Sequence, residues 1–218
     1  MPRPGPDPLG ALLSAIPALT GSPTTEPQRE GFRRYLDVFV RWNQVHRMTA
    51  LSSPEEVVQG LFLDSLLFLP LLPARPIALL DIGAGSGIPG LPLRLIDDRI
   101  SLTLIEARRK RVSFLRAACR ELSLADVRVL EGRAEELIDD DPALPESFDA
   151  VVARAVGAPL LDSVGTRYLR SGGTMVVAGG TRAVARPPFE AVQVRIPGAS
   201  TNRIFLRTVK QGNVPRGT

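Results

Sequence analysis

The sequence predicts an α/β protein, a doubly wound and mostly parallel sheet with extra helices on its N-terminal side. Three observations carry this. From Ile77 onward short apolar runs alternate with stretches of helical periodicity. The runs lack polar alternation, as strands buried on both faces do. The first run, Ile77 to Leu80, ends in a glycine-rich turn, Asp81-Ile-Gly-Ala-Gly-Ser-Gly-Ile-Pro-Gly90. Strands alternating with helices imply parallel pairing through right-handed crossovers. With 218 residues and 44% hydrophobic content, the chain can build one sizeable core.

In chain order, residues 1–30 are rich in Pro, Gly and small side chains around the apolar patch Leu9 to Ile16, and a flexible, loosely attached segment is expected. Residues 31–73 supply helices packed on the sheet. Phe32, Tyr35, Leu36, Phe39 and Val40 recur at helical spacing, and Ser53-Pro54-Glu55-Glu56 reads as an N-cap opening a helix through Val57, Leu61, Leu66 and Leu69. Residues 74–210 form the main domain. Its strands are Ile77–Leu80, Ser101–Ile105, Val127–Leu130, Phe148–Ala153 and Thr174–Ala178. Helices are expected at Leu91–Ile96 with Pro89 in the first turn, at the Val112, Leu115, Cys119 and Leu122 stripe, and at Leu160–Leu169. Gly172-Gly173 reads as a turn, Asp139 to Pro142 as another, and Val192–Ile196 with Ile204–Val209 as a closing antiparallel pair. Residues 211–218 are a loose tail.

The glycine turn is the first candidate site. Gly83, Gly85 and Gly87 lack a Cβ, so a ligand can lie against the backbone. Gly85-x-Gly87-x-x-Gly90 alone also fits a dinucleotide fingerprint, with a pyrophosphate on the helix N-terminus. Asp81 opposes that, because a carboxylate at the mouth of the loop repels a pyrophosphate and attracts an ammonium. Pro89 removes a further donor. The charge argument favours S-adenosyl-L-methionine over a dinucleotide. Glu106 lies about 20 residues beyond the glycines, where nucleoside-binding α/β folds place the acid for the ribose hydroxyls. Glu135 is either an acceptor for the adenine amine or a first-turn helix carboxylate. Arg154 stands just past the carboxyl end of the fourth strand, the edge where such sheets bind ligands.

Composition narrows the chemistry. A single cysteine, Cys119, excludes a disulfide framework, so an intracellular, cytoplasmic setting is expected, and no apolar run is long enough to span a bilayer. No metal site is expected, since the consecutive carboxylates of Asp139 to Asp141 point apart. Cys119 sits on an apolar helix face and His46, the one histidine, precedes the sheet. Neither suits covalent or general-base catalysis. The fourth strand runs into Ala153-Arg-Ala-Val-Gly157, without the Asn/Asp-Pro-Pro-aromatic stretch that orients an exocyclic amine. An acceptor with its own lone pair, such as a guanine ring nitrogen, needs only alignment. The net charge of +4 permits a nucleic-acid partner without requiring one.

Asp81 to Leu93, Glu106-Ala-Arg-Arg-Lys-Arg-Val-Ser-Phe-Leu115, Gly132-Arg-Ala-Glu135 and Phe148 to Ala155 together resemble the bacterial 16S rRNA guanine-N7 methyltransferase family, also called glucose-inhibited division protein B. The resemblance spans Phe32 to Val209, including Trp42-Asn43 and Leu63-Asp-Ser-Leu66. It implies a class I methyltransferase-like fold and S-adenosyl-L-methionine held by Gly83, Ile88, Ala134, Glu135 and Arg154, with Glu106 on the ribose. It also implies methylation of a guanine in 16S rRNA, free or in the small ribosomal subunit; a monomer is expected. Arg108, Arg109 and Arg111 are candidate RNA contacts, although a basic helix start is also an ordinary solvated face. The chain departs from the family pattern at two cationic positions, which read Gly60-Leu61 and Gly179. A diverged methyltransferase for another RNA or a small molecule, and a non-catalytic cofactor-binding protein, are the alternatives those departures leave.

Overall fold

The computed structural model describes residues 7–51, 53–74, 77–156, 161–179 and 185–211. Its strands are β1 (Ile77–Ile82), β2 (Ile100–Glu106), β3 (Arg128–Glu131), β4 (Phe148–Ala153), β5 (Leu169–Ala178), β6 (Glu190–Arg195) and β7 (Asn202–Val209). They form one sheet in the order β3-β2-β1-β4-β5-β7-β6. All pairs are parallel except those of β7, which runs antiparallel to β5 and β6.

The unalternating apolar strands follow from two cores. Leu79, Leu102, Ala150 and Val152 feed one apolar cluster, while Leu80, Ile82, Val151 and Ala153 feed the other. The first is covered by α1 (Gly10–Thr20), α2 (Glu26–His46), α3 (Pro54–Val57), α4 (Asp64–Leu66), α5 (Gly90–Ile96) and α6 (Arg109–Glu121). The second is covered by α7 (Ala134–Asp140) and the helical turns Leu161–Gly165 and Thr166–Tyr168. Helices on both faces make the sheet doubly wound, as expected, and the strand order reverses between β1 and β4.

Several expectations are corrected. Residues 10–20 are not loosely attached: α1 buries Leu12, Leu13 and Ile16 in the main core. Pro17 lies inside this helix and cannot donate to the Leu13 carbonyl, and the Thr24 hydroxyl donates there instead, at 3.0 Å. The next helix begins at Glu26, not near residue 31, behind a Thr25–Gln28 capping box. Ser53 caps its helix as expected, yet the segment continues through a π-helical stretch, Val58–Leu63, into α4. Pro89 is the N-cap residue of α5, one position before the expected first turn. Asp139 and Asp140 close α7 as helix, with Arg167 paired to Asp139. Gly172-Gly173 is no turn between elements but lies inside β5, where the β4 register shifts and Gly172 takes a φ of +75°. Leu169 is strand, not helix. The expectations for residues 1–6, Gly157, Leu160, Gly180 and residues 212–218 fall outside the described residues.

Among the described residues no helix is long and apolar enough to cross a membrane, and no cluster of three or more His, Cys, Asp or Glu side chains could hold a metal ion.

Candidate active site at the carboxyl edge of the sheet

The carboxyl ends of β1, β2, β4 and β5 share one edge, and antiparallel β7 brings its amino end, Asn202 and Arg203, to it. The glycine turn caps this edge at the β1/β4 reversal. Gly83 and Ala84 donate their N–H groups to the Ile105 carbonyl at 2.9 and 3.0 Å, pinning the turn to β2. The Gly85 N–H donates to Glu106 Oε2 at 2.9 Å, and the Arg108 N–H to Glu106 Oε1 at 2.8 Å. Gly87 and Ile88 donate to the Ala84 carbonyl, Leu91 to Gly87, and Gly90 to Asp81 Oδ2 at 2.8 Å.

That accounting bears on the ligand class. A pyrophosphate needs free N–H groups at the turn. Here Gly83, Ala84, Gly85, Gly87, Ile88, Gly90 and Leu91 already donate to protein acceptors, and Pro89 has no N–H. Two carboxylates, Asp81 and Glu106, are part of the same bracing. The geometry disfavours a diphosphate and suits a cationic amino-acid moiety.

Asp81 is not at the mouth of the loop, as the sequence suggested, but beneath it and wholly buried. Its Oδ1 is buried and has no hydrogen-bond partner among the described residues. Burial pushes the carboxyl up to about 7; the Gly90 N–H pulls it down and the Glu106 charge adds to the rise. An unpartnered buried carboxylate oxygen under a concave glycine turn is the fit expected for an ammonium, direct or through water.

Glu106 is also buried and ends β2 beside the turn. Ile88 is buried in the turn. Gly132 donates to the Glu106 carbonyl at 3.1 Å, which brings the start of α7 to the same corner. Ala134 is buried there, and its carbonyl accepts from the Tyr168 hydroxyl at 2.7 Å. Glu135 is a first-turn helix residue with Arg133 at 3.6 Å. Arg111 reaches back over the turn: a Cβ on Gly85 would lie 2.6 Å from its guanidinium. Arg108 and Arg109 line, together with Arg111, a surface cavity of about 340 Å³ beside it. Cys119 is buried on α6 and burial raises its thiol to about 11, so it is no nucleophile.

The sequence reading missed three contributors. Tyr35, buried in α2 and stacked on Phe62 at 4.6 Å, donates its hydroxyl to the Ser86 carbonyl in the turn. Asp64 is a buried carboxylate that binds Arg203 Nε at 2.6 Å and Arg154 at 3.3 Å. The Gly60 carbonyl accepts from Arg154 at 2.8 Å. Replacing Tyr35 with Phe deletes one hydrogen bond and keeps the stacking, so a loss of about 1 kcal/mol in stability is expected. A several-fold loss of S-adenosyl-L-methionine affinity is expected with it; unchanged affinity in a calorimetric titration would remove Tyr35 from the site.

The family model described as rRNA small subunit methyltransferase G matches residues 28–186. The chain belongs to that family. The rRNA small subunit methyltransferase G of Desulfitobacterium hafniense is 36% identical over 180 residues, which is 82% of this chain and 74% of that protein. Its counterpart from Streptococcus pneumoniae serotype 19F is 35% identical over 164 residues, 74% of this chain and 69% of that one. Among solved structures, a SAM-dependent methyltransferase from Aquifex aeolicus superposes with a TM-score of 0.53 at 13% identity, covering 75% of this chain and 96% of that one. The last likeness shows the fold, a class I methyltransferase sheet. At the two departures from the family pattern, Gly60 serves through its carbonyl and the Gly179 N–H donates to the Ile204 carbonyl at 2.9 Å, next to Arg203.

Proposed function

We propose that this methyltransferase transfers a methyl group from S-adenosyl-L-methionine to N7 of a guanine in 16S rRNA, free or within the small ribosomal subunit, as a cytoplasmic monomer. The observation that supports the cofactor assignment is the turn itself: seven of its N–H groups donate within the protein, and beneath it Asp81 keeps one buried oxygen without a partner among the described residues. Family membership supports the substrate.

The cofactor, when bound, supplies an electrophilic sulfonium methyl group. Gly83, Gly85, Gly87 and Ile88 would shape the methionine side, with Asp81 Oδ1 taking up the ammonium. Glu106 keeps acceptor capacity on both oxygens after binding two N–H groups, so it can receive ribose hydroxyls. Ala134 and Glu135, at the same corner, would bound the adenine. Arg154 and Arg111 flank the turn from its two sides. Guanine N7 carries a lone pair, so methyl transfer requires no proton removal, and the electron pair of the broken carbon–sulfur bond stays on sulfur. That is compatible with an edge where Glu106, Asp64 and Arg154 are engaged with protein partners. Catalysis then rests on alignment and exclusion of water.

The test is incubation with labelled cofactor and either small subunits or naked 16S rRNA, followed by reductive cleavage, which breaks RNA at 7-methylguanosine. Label in rRNA with one cleavage site is the expected result. Label at an exocyclic amine, or none in either RNA, sinks the assignment. Turnover on another acceptor would select a diverged enzyme, and cofactor binding without turnover a non-catalytic protein.

A further inference from the structure

The Asp64 cluster is larger than a structural ion pair requires. One buried carboxylate is shared by two guanidiniums, so the group carries one surplus positive charge. Arg154 uses one terminal nitrogen on the Gly60 carbonyl and Asp64, while its other, NH1, is buried without a partner among the described residues. Arg203 uses only Nε, on Asp64 Oδ1, and 44% of its side chain remains exposed. Its two terminal nitrogens have no partner among the described residues. The cluster lies where β4 ends and β7 begins, beside the glycine turn: a Cβ on Gly83 would lie 2.8 Å from Val156, two residues beyond Arg154.

We propose that Arg203 holds the RNA backbone at the target nucleotide. A phosphodiester seats against its outward guanidinium nitrogens, while Asp64 fixes the inner edge and so sets the fork's orientation. The substrate phosphate then neutralises the surplus charge, at the β4 and β7 end of the sheet edge. The antiparallel turn of β7 is what brings this arginine, 139 residues from Asp64 in sequence, to the edge at all. This rests on RNA being the substrate.

The experiment compares wild type, Arg203→Gln, Arg203→Lys and, as a control on the same strand, Arg207→Gln, whose side chain is paired with Glu190 at 3.8 Å. Measured are KM and kcat for small-subunit RNA, the dependence of RNA affinity on salt, the cofactor Kd and the melting temperature. For Arg203→Gln, KM should rise about tenfold or more. The slope of log affinity against log salt should fall by about 0.7–0.9, one phosphate contact. The cofactor Kd should stay within twofold. Arg203→Lys should keep the salt slope and recover only part of the KM, and Arg207→Gln should match wild type. An unchanged KM and slope in Arg203→Gln, with or without a lower melting temperature, makes the Asp64–Arg203 bridge purely structural and overturns the proposal while leaving the RNA assignment intact. Loss of cofactor binding in Arg203→Gln overturns it equally. Wild type that neither binds nor methylates RNA overturns the function proposed above, and this inference with it.

Discussion

Gly87→Ala is expected to weaken S-adenosyl-L-methionine binding about a hundredfold while the sheet stays folded. Gly87 has a φ of +81°, a left-handed conformation that costs an L side chain about 1–2 kcal/mol. A Cβ there would lie 2.4 Å from Leu91 Cδ1 and 2.9 Å from the Tyr35 hydroxyl. Leu91 and Tyr35 are both buried, so neither can swing away freely. Relief requires the turn to lift off α5 or α2, adding about 1–3 kcal/mol of overpacking strain. Together these are worth roughly two orders of magnitude in affinity. Gly172→Ala is the matched control. Its φ is +75° but nothing lies within 4 Å of the added Cβ. It sits in β5 at the opposite edge, hydrogen-bonded to the Lys210 carbonyl. It should lose stability from backbone strain alone and bind cofactor normally. Equal cofactor affinity in the two variants, by calorimetric titration, would mean the turn does not form the site.

How much of this was readable in the sequence depended on the distance over which the cause acts. The strand run through Leu79, Leu80 and Ile82, the glycine turn, and the acids at 81 and 106 are local patterns, and the structure brings them to one corner. Asp81 was readable as an acid at the turn but not as buried, because a period-2 strand does not reveal which face α5 will cover. α1 was misread because composition rich in Pro, Gly and small residues signals looseness, while the contact that replaces the donor missing at Pro17 comes from the Thr24 hydroxyl, beyond the helix. Tyr35 registered as core, since its 51-residue reach to the Ser86 carbonyl has no sequence signature. Arg203 gave none either. Its role depends on β7 inserting antiparallel between β5 and β6, a topology that the predicted hairpin left open.

Asp81→Asn should separate binding from stability, in opposite directions. With its carboxyl pushed up to about 7 against an ordinary 3.8, Asp81 binds its proton more tightly folded than unfolded. Its contribution to stability is therefore complete below about pH 4 and is lost as pH rises through about 7. The full span is on the order of 4 kcal/mol. Asn stays neutral and can still accept the Gly90 N–H, so the variant should melt higher than wild type at pH 8 and show a flatter stability profile between pH 5 and 8. Cofactor binding should respond the other way. Only the ionised carboxylate attracts an ammonium, so wild-type affinity should rise about tenfold per pH unit below 7 and level off between pH 7 and 8, where an α-amino group is still charged. Binding below pH 7 should release up to one proton, read as a buffer-dependent heat. At pH 7.5 the Asn variant should bind about a hundredfold more weakly with no pH dependence. Wild-type affinity equal at pH 5.5 and 7.5, or a variant that binds as tightly as wild type, would show that the buried acid braces Gly90 and takes no part in holding the cofactor.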